Sequence, residues 1–512
     1  MSLKPTSSTS WISRCPLHPV LFALYPILAL LSFNISEVAV YSGYRSMLVS
    51  LGFSSILLIV FRFVFRDWRR AALASTIILI LFYSYGHLYI ALKGIAWGGF
   101  YIFRHRIMIP VWVVAGLGLM WWVARRSLNL STITSTFNVI GLFLLILPVY
   151  QLASHPFRSR INKNAAQEDS KTLSLAVGDT PPDIYYIILD GYGRSDVLKN
   201  EFGFDNSEFL NTLRGLGFYV ADCSQSNYAE TELSLASSLN FNYLDALGDH
   251  FIAGTKDLSD LESLIKDSAV RRSLEAAGYK TVAFATGFNW TQWDDANYYL
   301  SPQYRAGNLN EFESLLVETT FARIIQDSAL LGQQDSGSSL YRQRTLYVLD
   351  KIDKLSYIKE PKLVFAHIII PHPPYVFGPN GDPVAMEDVG TTKSDREDAL
   401  YRDQAIYISN RMQEIVPRII SNSARPPIII IQGDHGPTVA KDAKTRMRNL
   451  SVYYFPGVDA PLYPTITPVN TFRVIFNIYF GQNLPILKDK SLHSNYIDPF
   501  SFRLVKNSCG SE

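Results

Sequence analysis

Five apolar runs follow one another in the first 153 residues, at about 17–40, 47–66, 71–92, 107–124 and 134–153. Each is close to the roughly 20 residues that an α-helix needs to cross about 30 Å of hydrocarbon. The third, "AALASTIILILFYSYGHLYIAL" (Ala71 to Leu92), has no formal charge. The first contains Pro19 and Pro26, and the fifth starts with polar residues, so their ends are less sharply drawn. A chain patterned in this way places its beginning in lipid, and we expect a five-helix transmembrane domain over 1–153. The first run leads into further apolar runs, which argues against a cleaved signal peptide.

Charge divides the chain at the same place. Residues 1–153 hold twelve Lys/Arg against only Glu37 and Asp67, a balance of +10, so the remainder carries −8 of the overall +2. Nothing in that acidic remainder points to nucleic acid. With the N-terminus inside, the inner segments hold Lys4, Arg14, Arg62, Arg66, Arg69, Arg70, Arg125 and Arg126. The outer loops hold Arg45, Lys93, Arg104 and Arg106. The excess of inner positive charge favours the N-terminus inside. Five crossings then put everything after about 154 outside the cytoplasm, in a multi-pass protein of the cell membrane. Cys223 and Cys509 lie in that outer part and could pair, which spacing alone leaves open.

Residues 154–182 are polar, charged and aperiodic, as in a linker. Over 183–512 the pattern changes to short apolar strands, including "DIYYIILD" (183–190), "GFYVAD" (217–222), "KTVAFAT" (280–286), "KLVFAHIII" (362–370), "PIIIIQGD" (427–434) and "LSVYYF" (450–455). Helical segments such as "ALYRDQAIYISNRMQEIV" (399–416) lie between several of them. Alternation of this kind predicts an α/β domain with a mostly parallel central sheet covered on both faces.

Chemistry is expected at the carboxyl ends of such strands. Asp190 closes "YYIILDG", where a carboxylate suits a hard metal ion. Asp434 and His435 close "PPIIIIQGDHGPT" (426–438). Thr231 stands just before the small-residue helix of "ETELSLASSLN", where the positive helix end favours a phosphate and a neighbouring metal would activate the hydroxyl. Ser234 and Ser237 read as packing residues within that helix. His367 and His372 flank the end of "FAHIIIPHPPY". Asp190, Thr231, Asp434 and His435 together would make a mixed O/N site for one divalent ion, better suited to zinc or manganese than to magnesium or calcium. Each also has a plain role: turn Asp, helix-capping Thr, buried strand His. The aromatics Trp290, Trp293, Tyr298 and Tyr299 read as core or loop anchors before sugar-stacking groups.

These motifs resemble the alkaline-phosphatase/sulfatase superfamily, and most closely its membrane-anchored phospho-transferases, the lipoteichoic acid synthases and lipid A phosphoethanolamine transferases. Those too have five membrane helices, a linker and an outward catalytic domain. The resemblance implies a sulfatase-like fold with Asp190, Thr231, Asp434 and His435 as metal ligands and Thr231 as nucleophile. His372 would contact the transferred phosphate, with His367, Arg446 and Arg448 also on the substrate side. There are departures. The nucleophile segment has no Cys/Ser-x-Pro-x-Arg context, which argues against sulfate esters. No His occurs in "KDAKTRMRNLSVYYFPG" (441–457), where those transferases carry a further one, so Arg446 or Arg448 is expected to hold phosphate instead.

The expected activity is transfer of a phospho-headgroup from a membrane phospholipid to an envelope glycan or glycolipid through a phosphothreonine. Hydrolysis with water as acceptor, by a phosphodiesterase or phosphatase, uses the same residues. A non-catalytic envelope-glycan binder would not need all four ligand positions filled.

Overall fold

A computed structural model describes residues 15–35, 38–97, 100–169, 171–249, 251–255, 258–302, 309–327, 337–384 and 394–509. The chain forms two compact units, Met1–Phe157 with Arg305–Gly337, and Arg158–Tyr304 with Ser338–Glu512.

The first unit contains helices α1 (His18–Phe33), α2 (Tyr44–Phe65), α3 (Trp68–Leu92), α4 (His105–Arg125) and α5 (Leu130–Asp169). Among the described residues four helical segments are long and apolar enough to cross a membrane: Val40–Phe65, Trp68–Leu92, His105–Arg125 and Leu130–His155. The expected count of five therefore needs correcting. The first run folds as a helix of only 16 residues, about 24 Å at the α-helical rise and short of the hydrocarbon thickness. The linker expected over 154–182 is corrected as well. Helix α5 continues to Asp169, and only the stretch after it is extended.

A third difference concerns 183–512, which does not stay in one unit. Helices Glu311–Thr319 and Arg323–Asp327 belong to the membrane unit. Phe312 packs with Ile27 and Leu31, and Phe321 and Ile324 pack against Tyr85, Tyr89 and Met108; polar ties add to this. Arg45 Nε donates to Glu313 Oε1 at 2.6 Å, Asn310 Nδ2 donates to Ser42 O at 2.9 Å, and Phe321 N donates to Phe82 O at 2.7 Å.

The second unit is built on a seven-stranded sheet. Its strands are β1 (Ile184–Leu189), β2 (Tyr219–Val220), β3 (Lys280–Phe284), β4 (Tyr298–Leu300), β5 (Lys362–Ile368), β6 (Ile428–Gln432) and β7 (Ser451–Tyr454), in the spatial order β2-β7-β6-β1-β5-β3-β4. The five strands from β6 to β4 run parallel, and β7 runs antiparallel to β6 and to β2. A hairpin of β8 (Ser491–Asn495) and β9 (Asp498–Val505) lies near the C-terminus.

Two faces of core explain the unbroken apolar runs. In β1, Ile184, Tyr186 and Ile188 pack into one cluster, and Tyr185, Ile187 and Leu189 into the other. The isoleucines of β6 divide in the same way, Ile428 and Ile430 against Ile429 and Ile431. A strand buried on both faces has no polar side to show. Trp293 belongs to this core, fully buried and stacked on Phe365 at 4.3 Å between ring centroids. Trp290 is buried too, whereas Tyr298 and Tyr299 are half-buried on the edge strand β4.

Candidate metal and phosphoryl-transfer site

Strand β1 lies between β5 and β6, so the carboxyl ends of three neighbouring strands open at one place. Asp190 follows β1, the His372 loop follows β5, and Asp434 and His435 follow β6. Helix α6 (Thr231–Leu239) brings its N-terminus there, with Thr231 as first helical residue and Glu230 as its cap position. The glycines around the Asp-His pair are required by space. A Cβ at Gly433 would lie 2.5 Å from Tyr192 O, and one at Gly436 would lie 2.5 Å from Thr445 O.

Asp190, Asp434 and His435 are buried, and one ligand atom from each falls within 4.8 Å of the others. His435 Nε2 is 3.6 Å from Asp190 Oδ1 and 3.5 Å from Asp434 Oδ2. Thr231 Oγ1 lies 3.3 Å from the same nitrogen. These three distances to one nitrogen are of the order of the separation between neighbouring ligand atoms around a small divalent ion, about 3–4 Å. The partners orient the donors. Asp434 Oδ1 accepts from Gly191 N at 2.9 Å and His435 N at 3.0 Å, while Asp434 Oδ2 and Asp190 Oδ1 are buried without a hydrogen-bond partner among the described residues. His435 Nδ1 donates to Gly436 O at 2.7 Å, which fixes the tautomer and leaves the Nε2 lone pair for an ion. Two buried carboxylates with unanswered oxygens are costly unless a cation joins them. The donor set therefore fits one divalent ion.

Electrostatics agrees. Burial alone would raise the Asp190 carboxyl, but His372, then His367 and His435, outweigh it and hold the group below the usual carboxylate range. Burial, with Arg446 beside it, lowers His435, so the ring stays neutral and able to coordinate.

Around this centre the remaining residues separate. His372 N donates to Asp190 O at 3.1 Å. Its ring lies 6.5 Å from that of His435, and its Nδ1 donates to Pro373 O at 2.6 Å. Arg446 Nη2 is 3.1 Å from Glu230 Oε2 and 3.5 Å from His435 Nε2, and its Nη1 is buried without a partner among the described residues. Both stand at the edge of the group formed by Asp190, Asp434 and His435.

Two expected substrate residues do not. His367 lies behind Asp190, with Nε2 at 3.2 Å from Asp190 Oδ2 and Nδ1 at 3.1 Å from Thr291 Oγ1. It positions the carboxylate. Arg448 turns away, to Asp196 Oδ2 at 3.2 Å and Ser508 Oγ at 3.0 Å. Ser234 and Ser237 are spent as read, on Asp434 O at 2.6 Å and Asn242 O at 2.7 Å. A Ser-x-Pro-x-Arg string does occur, at Ser154 to Arg158, but it lies within membrane-unit helix α5 and its continuation.

Glu230 was visible in "ETELSLAS" yet was given no role; its ion pair with Arg446 connects positions 216 residues apart. His493, on β8, interacts electrostatically with the same pair and lies in no motif. Cys223 and Cys509 pair across a Cα–Cα distance of 5.4 Å.

No protein-family profile matches the chain, and no curated protein matches it significantly. Among solved structures it is similar to the C-terminal periplasmic domain of EcEptC from Escherichia coli in complex with Zn (11% identity, 66% of this chain and 97% of that one, TM-score 0.43). It is similar also to the integral membrane protein lipooligosaccharide phosphoethanolamine transferase A from Neisseria meningitidis (11% identity, 92% and 95% coverage, TM-score 0.38). A third is an alkaline phosphatase superfamily protein from Vibrio parahaemolyticus (9% identity, 66% and 82% coverage, TM-score 0.36). At these scores the fold and the chemistry rest on this chain's own residues.

Proposed function

We propose that the protein is a metal-dependent transferase that moves a phospho-headgroup from a membrane phospholipid to an envelope glycan or glycolipid through a phosphothreonine at Thr231. One observation carries this reading. Two buried carboxylate oxygens without partners, Asp190 Oδ1 and Asp434 Oδ2, face a neutral His435 Nε2 that lies 3.3 Å from a hydroxyl at a helix N-terminus. A divalent ion held there, zinc or manganese before magnesium or calcium, would lower the hydroxyl pKa and neutralise phosphoryl charge.

The chain's own residues do the rest. Thr231 Oγ1 bonds to phosphorus as the bond to the lipid alcohol breaks, and the alcohol leaves with a proton. The acceptor oxygen then bonds to phosphorus and Thr231 is released. The α6 N-terminus and the unpaired Arg446 Nη1 hold the equatorial oxygens, and His372 contacts the group in transfer.

One feature supports an outward catalytic unit in a multi-pass cell-membrane protein: the Cys223–Cys509 disulfide belongs to an oxidising compartment. Covalent attachment to a membrane unit raises the effective concentration of a lipid donor.

The test is intact mass spectrometry of the full chain in detergent after incubation with phospholipids and zinc or manganese, wild type beside Thr231→Ala. An adduct on wild type alone is expected, its mass giving the headgroup. Equal adducts on both proteins would move the nucleophile elsewhere, and with methyl glucoside added as acceptor, released headgroup phosphate without any phosphorylated glucoside would assign a hydrolase.

A further inference from the structure

The site has a wall that no motif announces. Hairpin β8–β9 is tied to the segment leading into Thr231. Leu492 N donates to Asn227 O at 2.8 Å, and Leu492 bridges Tyr228. Asn227 Nδ2 donates to Lys490 O at 3.0 Å, and Ser491 Oγ to Gln225 Oε1 at 3.1 Å. Beyond the hairpin, the Cys223–Cys509 bond closes the same attachment.

Which face of the hairpin meets the site follows from alternation. Val505 packs with Ala229 and Met447. Residues two apart on a strand share a face, as do directly paired residues. Val505 pairs with Ser491 and Arg503 with His493, so His493 and Arg503 share the face that packs beside Ala229 and helix α7 (Ala443–Met447), which carries Arg446. His435, Arg446 and Glu230 are already linked at 3.5 Å and 3.1 Å. His493 extends that line to the rim.

We infer that His493 is the proton carrier for the leaving and entering oxygens. In the first half-reaction the Thr231 hydroxyl proton passes through solvent to the imidazole and from it to the departing lipid alcohol, and in the second the imidazole takes a proton from the incoming acceptor hydroxyl. This rests on the phosphothreonine reading above. In the second half-reaction the acceptor O–H bond breaks and its proton goes to the imidazole. The acceptor oxygen bonds to phosphorus, the bond from phosphorus to Thr231 Oγ1 breaks, and its electron pair stays on Oγ1. The imidazolium proton returns to Oγ1 through solvent, restoring both groups. Burial, together with Arg446 and Arg503 and against Glu230, lowers the His493 pKa, so the ring is neutral near pH 7 and can accept a proton.

The experiment uses the full chain in detergent with bis(p-nitrophenyl) phosphate as donor, whose leaving group departs as an anion and needs no proton, and methyl glucoside as acceptor. In His493→Gln the initial burst of p-nitrophenolate is retained. The Thr231 adduct accumulates, and steady turnover falls about a hundredfold, the usual worth of an acid–base residue. Added imidazole restores part of it in His493→Gly. Arg503→Gln, at an exposed position, removes a positive neighbour and moves the acid limb of the pH–rate profile to higher pH. Unchanged turnover in His493→Gln, or an acid limb that stays in place in both His493→Gln and Arg503→Gln, overturns the inference. So does loss of the burst in a folded His493→Gln. If wild type forms no adduct that Thr231→Ala removes, the nucleophile itself is wrong and the inference falls with it.

Discussion

Buried carboxylates in the two units are treated in opposite ways. Glu313 of the membrane unit, 4% exposed, is fully answered. Arg45 meets both its oxygens, and it accepts from Asn310 N at 2.9 Å while its own N–H bonds to Asn310 Oδ1 at 2.8 Å, a complete capping box. Asp190 and Asp434 of the second unit are 4% and 2% exposed, and each keeps one oxygen with no partner among the described residues. Equal burial with unequal satisfaction separates structure from chemistry. An acid whose partners are all protein holds a helix in place, whereas a pair of acids left short at a strand end is waiting for a cation.

The largest effect expected from this contrast is on turnover. Thr231→Ala should lower the rate at least about a thousandfold, as removal of a nucleophile does, with binding of zinc weakened but still measurable through Asp190, Asp434 and His435. Isothermal titration beside the turnover assay checks both halves; activity within tenfold of wild type would break the assignment. Next comes Asp434→Asn. Zinc affinity should drop by about a hundredfold or more, beyond what loss of an outer-shell partner does, and the rise in melting temperature on adding zinc should vanish. In metal-free protein the same change should raise the melting temperature, because it removes one of two neighbouring buried negative charges. A fall instead would mean that Asp434 is structural, like Glu313.

Much of this was legible because local chemistry carried it. "IILDG" and "IIIIQGDHG" announce strands buried on both faces that end in ligands, and the structure puts Asp190, Asp434 and His435 together with Thr231 at a helix start. Long-range choices were not legible. Arg446 and Arg448 are two residues apart and chemically identical, and only the fold sends one to Glu230 and the other to Asp196. His367 and His372 looked like one kind of residue, but the first is the penultimate residue of β5, behind Asp190, and the second is in the loop. Residues 305–337 gave no sign of leaving the second unit, because the polar ties of Glu313 and Asn310 reach back 268 residues. The 16-residue length of α1 was hidden by apolar residues that continue beyond its last turn.

The structural side of the contrast predicts a smaller effect. Glu313→Gln should destabilise the full chain by about 1–2 kcal/mol. The pair with Arg45 is half solvent-exposed on the arginine side, which limits its worth. Zinc affinity should be unchanged. Thermal unfolding and titration of the same sample check this, and a zinc-affinity loss would tie the insertion to the site and break the separation drawn here.

The smallest effect belongs to a carboxylate between these extremes, the exposed cap Asp442 of helix α7. Its Oδ1 accepts from Lys444 N at 2.7 Å and Thr445 N at 3.0 Å, and its Oδ2 from Thr445 Oγ1 at 2.8 Å. Burial would raise this group, but those bonds together with the charge of Arg448 lower it below the usual carboxylate value. A depressed folded pKa contributes stability above the unfolded value near 4 and loses it as pH falls through the lower folded value. Asp442→Ala should therefore cost about 1 kcal/mol near neutral pH, and the difference from wild type should shrink steadily in acid. The same helix carries Arg446, so the variant should also raise KM for a phosphodiester donor more than it lowers kcat. Denaturation across pH, with KM and kcat measured separately, tests both. A pH-independent stability difference would show that Asp442 acts through packing, and an unchanged KM would show that Arg446 holds its place against Glu230 without the cap.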